Sequence, residues 1–413
     1  MADVSDEVAI NDVVQFLKSL NQISGAVEIF VVKAKGKLFI LLSDVHFLSV
    51  NLSEETLATF EENGISLEAM QSKGIGCKNC TMDTRCISVV DLPEALASVI
   101  KSGKIDLYVE EDKEGRLIYE PDSDLSAVIK KYYQCAPSQR GPAGQEGPKW
   151  CNNLRVHAFD IRSSRFENLV LLQQSVNNLQ YMQDDRQFQS AEELSNALSE
   201  FERDSRLADN ASTVDFIETI TNSGLQGLFN RDVKEGLVFK QLKFTDPAER
   251  ERLLQNALSF MQFQVPSWEG KAKALKELKA VAASLRNNGN NFYKAFSAYA
   301  AGKRSVNQAV ESFAKIYNAY LMEFAYDYFV VLTDLYAYFR MMKPMDGQPQ
   351  SIIMEYAGQR HIRNLLSLIG QKEIVLYART PDYIQNQDMT FDDSYVLEEG
   401  ETYSKCIEIP HIQ

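Results

Sequence analysis

The stretch Gly36-Lys37-Leu38-Phe39-Ile40-Leu41-Leu42-Ser43-Asp44-Val45-His46 constrains the fold more than any other. An unbroken apolar run from Leu38 to Leu42 suits a strand covered on both faces, as in a parallel-type sheet, better than a half-exposed strand whose residues alternate. The run stops abruptly in Ser43, Asp44 and His46. These fall at the carboxyl end of the strand, where open α/β sheets carry ligands and catalytic groups.

The same pattern recurs at other histidines. The chain has four. His157 closes the strand-like Asn153-Leu154-Arg155-Val156 and is followed at once by Asp160 and Arg162. His361 follows Ile352-Ile353-Met354-Glu355-Tyr356-Ala357, a strand that runs into Gly358 and a helix start. The segment Ile105-Asp106-Leu107-Tyr108-Val109-Glu110 is a further strand that ends in an acid, Glu110. Strand ends carrying His46, Glu110, His157 and His361 predict convergence in one cleft.

Strands alternating with helical patterns predict an α/β fold with a mainly parallel sheet and flanking helices. A helix over residues 7–21 precedes a hairpin whose turn, Lys33 to Lys37, contains Gly36. Asp91-Leu92-Pro93-Glu94 has the form of a capped helix start with proline in the first turn. From about residue 164 only helical periodicity remains. The longest predicted helix opens at Ser305, can run to Met342, and stops before Lys343-Pro344. The expected organisation is an α/β domain from residues 1–165 and 345–380, a large all-helical insertion over 166–344, and an acidic C-terminal tail over 381–413.

Late in the long helix, Asp334 and Arg340 lie in an aromatic segment. Buried acids there need a partner. If the helix packs back along the strand ending at Gly358, Asp334 approaches His361 and orients a ligand imidazole, with Arg340 balancing a carboxylate.

Charge and composition exclude several classes. A net charge of −14 gives no general surface for tracking nucleic-acid phosphates, so no nucleic-acid partner is expected. The longest apolar stretch, around residues 319–342, contains Glu323, Asp327, Asp334 and Arg340, so no membrane span is expected. The N-terminus lacks the basic and apolar regions of a signal peptide, and an intracellular location is the expectation. Reduced loop thiols follow from that setting, with half a zinc site at Cys77, Cys80 and Cys86 as the alternative. No glycine-rich phosphate loop occurs.

Gly358-Gln359-Arg360-His361 is a Gly-x-x-His motif opening a helix, and Ser43-Asp44-Val45-His46 has the same form with Ser for Gly. With the strand Leu107-Tyr108-Val109-Glu110 between them, the set resembles the clan of metal-dependent hydrolases that includes TraB, the TIKI proteases, ChaN-like haem-binding proteins and the erythromycin esterases. Together with Val156-His157-Ala158-Phe159-Asp160 and Asp334-Leu335-Tyr336 it looks most like proteins of large DNA viruses. The resemblance implies metal-assisted hydrolysis of an ester or amide bond. His46, His361 and Glu110 would be ligands to a divalent ion (Mn, Fe or Zn), with His157 beside them. Glu110, Asp44, Asp160 and Arg162 would be the catalytic and orienting groups, Glu110 as base and Arg162 at the developing oxyanion. A non-catalytic viral structural or interaction protein, binding a protein partner through the helical insertion, is the alternative. A haem or metal carrier is a third reading.

Overall fold

The structure is a computed structural model. It describes residues 4–44, 48–51, 76–112 except 102, 124–135 except 134, 148–160, 210–236, 246–265, 272–303 except 290, 306–344, 350–380, 395–398 and 404–410, with scattered helical residues between 169 and 202 and Phe239. The chain divides into two compact units, one of residues Met1–Asp160 and Ala337–Gln413, the other Ile161–Tyr336.

The first unit is built on a six-stranded sheet. Its strands are β2 (Glu28–Ala34), β3 (Lys37–Asp44), β6 (Ile105–Asp112), β7 (Leu154–Asp160), β8 (Ile352–Gly358) and β9 (Glu373–Arg379), in the order β7-β6-β8-β3-β2-β9. β7, β6, β8 and β3 are mutually parallel, whereas β2 is antiparallel to both β3 and β9. The apolar run of β3 is therefore parallel-paired on one side only. The hairpin turn explains the other side: Lys35 and Gly36 both have positive φ, 52° and 72°, as the tightest hairpin turns require.

Register and alternation sort the side chains onto two faces. One face presents Leu154 and Val156, Leu107 and Val109, Met354 and Tyr356, and Leu38, Ile40 and Leu42. These join a continuous apolar cluster with α1 (Val4–Ser19), α2 (Leu92–Val99) and α3 (Asp124–Tyr133). The opposite face carries a cross-strand row of His157, Tyr108, Glu355, Leu41, Phe30 and Tyr377. Two residues further along are Phe159, Glu110, Ala357, Ser43 and Glu28. Helix Gln359–Ile369 packs over this second face. Its Arg363 reaches Glu28 at 2.8 Å, and its His361 meets the Phe159 ring edge-on at 6.1 Å.

The described C-terminal residues 404–410 pack into a second sheet of this unit. β11 (Cys406–Glu408) pairs with β1 (Gln22–Ser24), which also pairs with β5 (Cys86–Ser88), and Ile407, Ile23 and Ile87 line up in one buried row. A short parallel pair joins β4 (Leu48–Asn51) to β10 (Tyr395–Glu398). All six cysteines are paired: Cys77–Cys406, Cys80–Cys86 and Cys135–Cys151. This overturns the reduced-thiol expectation and its zinc alternative. Cys77 and Cys406, far apart in sequence, meet at β1, where Ser24 Oγ accepts the Cys77 N–H and Ser24 pairs with Cys406. A thiol held in a disulfide is not available to zinc.

The second unit is helical, with helices Asn210–Leu228, Pro247–Gln264, Ala272–Asn287, Phe292–Ala301 and Val306–Ile316. Asp246 starts one of them through its Oδ1, which accepts the Ala248 N–H at 2.8 Å. The helix expected to run unbroken from Ser305 contains a wide π turn at Tyr317–Met322, where the buried Tyr317 hydroxyl donates to the Leu169 carbonyl at 2.9 Å. Glu323–Met342 follows, and the boundary between the units falls inside it. None of the described helices is long and apolar enough to cross a membrane.

Candidate functional site at the polar face of the sheet

Along β6, every second residue is polar or aromatic: Asp106, Tyr108, Glu110. On β7 the matching positions are Arg155 and His157. These side chains therefore share the face opposite the apolar cluster. Asp106, Tyr108, Glu110 and His157 are buried among protein groups that bond them, and Arg155 is half-buried beside Asp106.

At the start of this face Asp106 is fully buried and accepts three hydrogen bonds. Arg155 forks onto it through Nε and one terminal nitrogen, both at 2.7 Å, and His157 Nε2 lies 2.8 Å away. Burial lowers the His157 pKa and outweighs the opposing pull of Asp106, so the imidazole is neutral at pH 7. The neutral ring donates its Nε2 proton to Asp106 and keeps its lone pair on Nδ1. An Arg340 terminal nitrogen faces that lone pair at 3.5 Å. Tyr108 stacks on the same imidazole, with ring centroids 4.6 Å apart. The Tyr108 hydroxyl donates to Gln350 Oε1 at 2.7 Å, and the Gln350 amide caps the end of the long helix through the carbonyls of Arg340 and Lys343.

At the carboxyl ends of the strands sits the second pair. Glu110 Oε1 lies 3.1 Å from His361 Nε2, and Glu110 Oε2 accepts the Gly358 N–H at 3.1 Å. Both side chains are almost wholly buried. β8 ends in Gly358, and the turn into the helix places His361 over the end of β6. Two donors on one divalent ion stand about 3.0–3.4 Å apart, given metal–ligand lengths of about 2.0–2.2 Å. The Glu110–His361 separation falls in that range, and a mixed N/O pair suits Mn²⁺, Fe²⁺ or Zn²⁺. Among the described residues no three His, Cys, Asp or Glu side chains converge as a ligand set. A third ligand would have to come from outside them. His46 lies there, as does Arg162. Asp160 ends β7 opposite Asp112. Asp334 is buried in the second unit.

Three of the residues expected at the site have other partners in the fold. Asp44 is held by partners on the other face of the sheet. It follows Leu42 on the apolar face, where its Oδ2 is 2.8 Å from the Tyr356 hydroxyl and its Oδ1 2.7 Å from Lys405 Nζ. His157 is not placed as a metal ligand, because a carboxylate holds one ring nitrogen and a guanidinium faces the other. Arg340, expected to balance a carboxylate, faces His157 instead.

Asp106, Tyr108, Arg155 and Gln350 were not singled out from the sequence. The signal for three of them was present: a period of two in polar residues along β6 and β7, hidden because each strand was read as an apolar run with a polar end. Gln350 has no local signal, since its role depends on the long helix returning to the sheet.

No family model, no curated protein and no solved structure matches this chain.

Proposed function

We propose that the protein is a metal-assisted hydrolase of an ester or amide bond, centred on Glu110 and His361. The observation that carries this reading is the contact of those two side chains, buried together at the carboxyl ends of parallel strands. That is where α/β sheets present reactive groups. The pair supplies one oxygen and one nitrogen donor, and the resemblance to the TraB and erythromycin-esterase clan assigns the same residues. A divalent ion held there would supply Lewis acidity and an activated water. Glu110, also held by the Gly358 N–H, is oriented either to ligate or to take a proton from that water. Asp106 and Arg155 fix the plane of His157 beside the site. The disulfides support work in an oxidising compartment rather than a reducing interior.

The test is metal content together with hydrolysis. Wild-type protein, purified without chelator, should carry about one divalent ion per chain and hydrolyse members of a panel of p-nitrophenyl esters and short peptides. His361→Gln and Glu110→Gln should lose both ion and rate. An ion content unchanged in both variants removes the pair from the ligand set.

A further inference from the structure

Ser43 stands in the place that Gly takes in the other His motif, and it is fully buried at the end of β3. Its Oγ has no hydrogen-bond partner among the described residues. Three serines at or beside strands of this unit are satisfied: Ser24 Oγ accepts the Cys77 N–H, Ser88 Oγ pairs with Asp91, and Ser351 Oγ donates to Asp6. A buried hydroxyl left without a partner costs stability that alanine would not. Ser43 is therefore an expense that packing does not explain.

Its position suggests what the hydroxyl meets. Ser43 pairs in register with Ala357 on one side and Glu28 on the other, on the sheet face that carries Glu110. Ala357, between Ser43 and Glu110 in that row, has the smallest side chain there. The helix that brings His361 to Glu110 begins at the next residue, Gly358. A hydroxyl offers one donor and two acceptor positions, and none of these is used by a described residue.

We infer that Ser43 is a substrate-binding group of the Glu110–His361 centre, whose hydroxyl donates to the carbonyl oxygen of the scissile ester or amide. The inference rests on the hydrolase reading above. Charge grows on that oxygen as the tetrahedral intermediate forms, so a donor fixed beforehand is worth more in the transition state than in the ground state.

The test compares wild type, Ser43→Ala and His361→Gln in the full chain for thermal stability, metal content and steady-state hydrolysis of the ester and peptide panel. Ser43→Ala should unfold at the same temperature as wild type or higher and keep the wild-type ion content. Its kcat should fall by about 10²-fold with little change in KM, the scale of losing one oxyanion donor. Ser43→Gly, which also lacks the hydroxyl, should lose a similar factor. Unchanged kcat in both Ser43 variants, with hydrolysis lost in His361→Gln, overturns the Ser43 role and leaves the hydrolase reading standing. A metal-loaded wild type that cleaves nothing in the panel overturns both. Covalent labelling of Ser43 by a fluorophosphonate, located by peptide mass, overturns the donor role in favour of a nucleophile.

Discussion

Replacing Asp106 by alanine should be among the most damaging single changes in the sheet unit. The carboxylate is 0% exposed and receives three charge-assisted or short hydrogen bonds, two from Arg155 at 2.7 Å and one from His157 at 2.8 Å. Breaking a buried ion pair by removing one partner costs about 3–5 kcal/mol, because the survivor is left charged and poorly solvated. Arg155 keeps 13% of its side-chain surface in solvent and recovers part of its hydration, which favours the lower end, about 3–4 kcal/mol. His157 loses its acceptor but is neutral, so its contribution is that of an ordinary unmade bond. For a unit of this size the loss corresponds to a fall in Tm of roughly 10 °C. Urea unfolding followed by circular dichroism measures the difference directly, with an unchanged m-value showing that the same surface is exposed. A loss below about 1 kcal/mol would refute the reasoning, because that is the worth of a solvated surface pair.

Two further outcomes follow from the same side chains and from the cysteines. The depressed pKa of His157 means that the unfolded chain takes up a proton before the folded one does. Stability should therefore be flat above about pH 7 and fall as pH drops through about 6.5, the ordinary histidine value. His157→Gln should flatten that acid limb, and an unchanged limb would exclude His157 as its source. Cys406→Ser opens a link between residues 329 apart in sequence and frees the strand beside Lys405, so the cost should lie near the upper end of about 2–5 kcal/mol. Peptide mapping without reductant should recover the three pairings. Six titratable thiols in the native protein would contradict them.

Much of the sheet was legible in the sequence because strand-forming runs carry local signals. The hairpin around Gly36, the start of β6 at Ile105, and the β8–Gly358–helix unit all lie where residue pattern alone puts them, whereas β6 runs past Glu110 to Asp112. The Glu110–His361 contact depends on two such ends becoming neighbours through parallel pairing of β6 and β8. Sequence order is silent on strand order, so the contact is an expectation there and a distance only in the fold. The errors have a common cause. Position at a strand end does not say which face a side chain takes, and alternation from Leu42 puts Asp44 on the apolar one. The cysteines were misjudged because disulfide pairing depends on long-range topology that spacing does not carry. The end of the long helix shows the same limit: Arg340 meets His157 only because Gln350 and Tyr108 hold the helix terminus to β6.

The two faces of this sheet have different reasons to exist. The face under α1, α2 and α3 is a conventional apolar core. The other buries carboxylates, imidazoles and guanidinium groups that a merely structural face would replace with apolar residues at equal or greater stability. Either the polar set specifies the fold, fixing register between β6 and β7, or it serves chemistry at the strand ends. The double replacement Asp106→Leu with Arg155→Met separates these roles. It removes both charges together and keeps comparable volume, so it should recover most of the stability lost in Asp106→Ala. If the network only fixes register, the double variant should lose its cooperative unfolding while any remaining hydrolysis keeps the wild-type pH profile. If the network serves the site, the double variant should unfold cooperatively near the wild-type temperature yet hydrolyse more slowly, because His157 no longer has the acceptor that fixes its tautomer and ring plane. A double variant as stable and as active as wild type would show that neither role is needed.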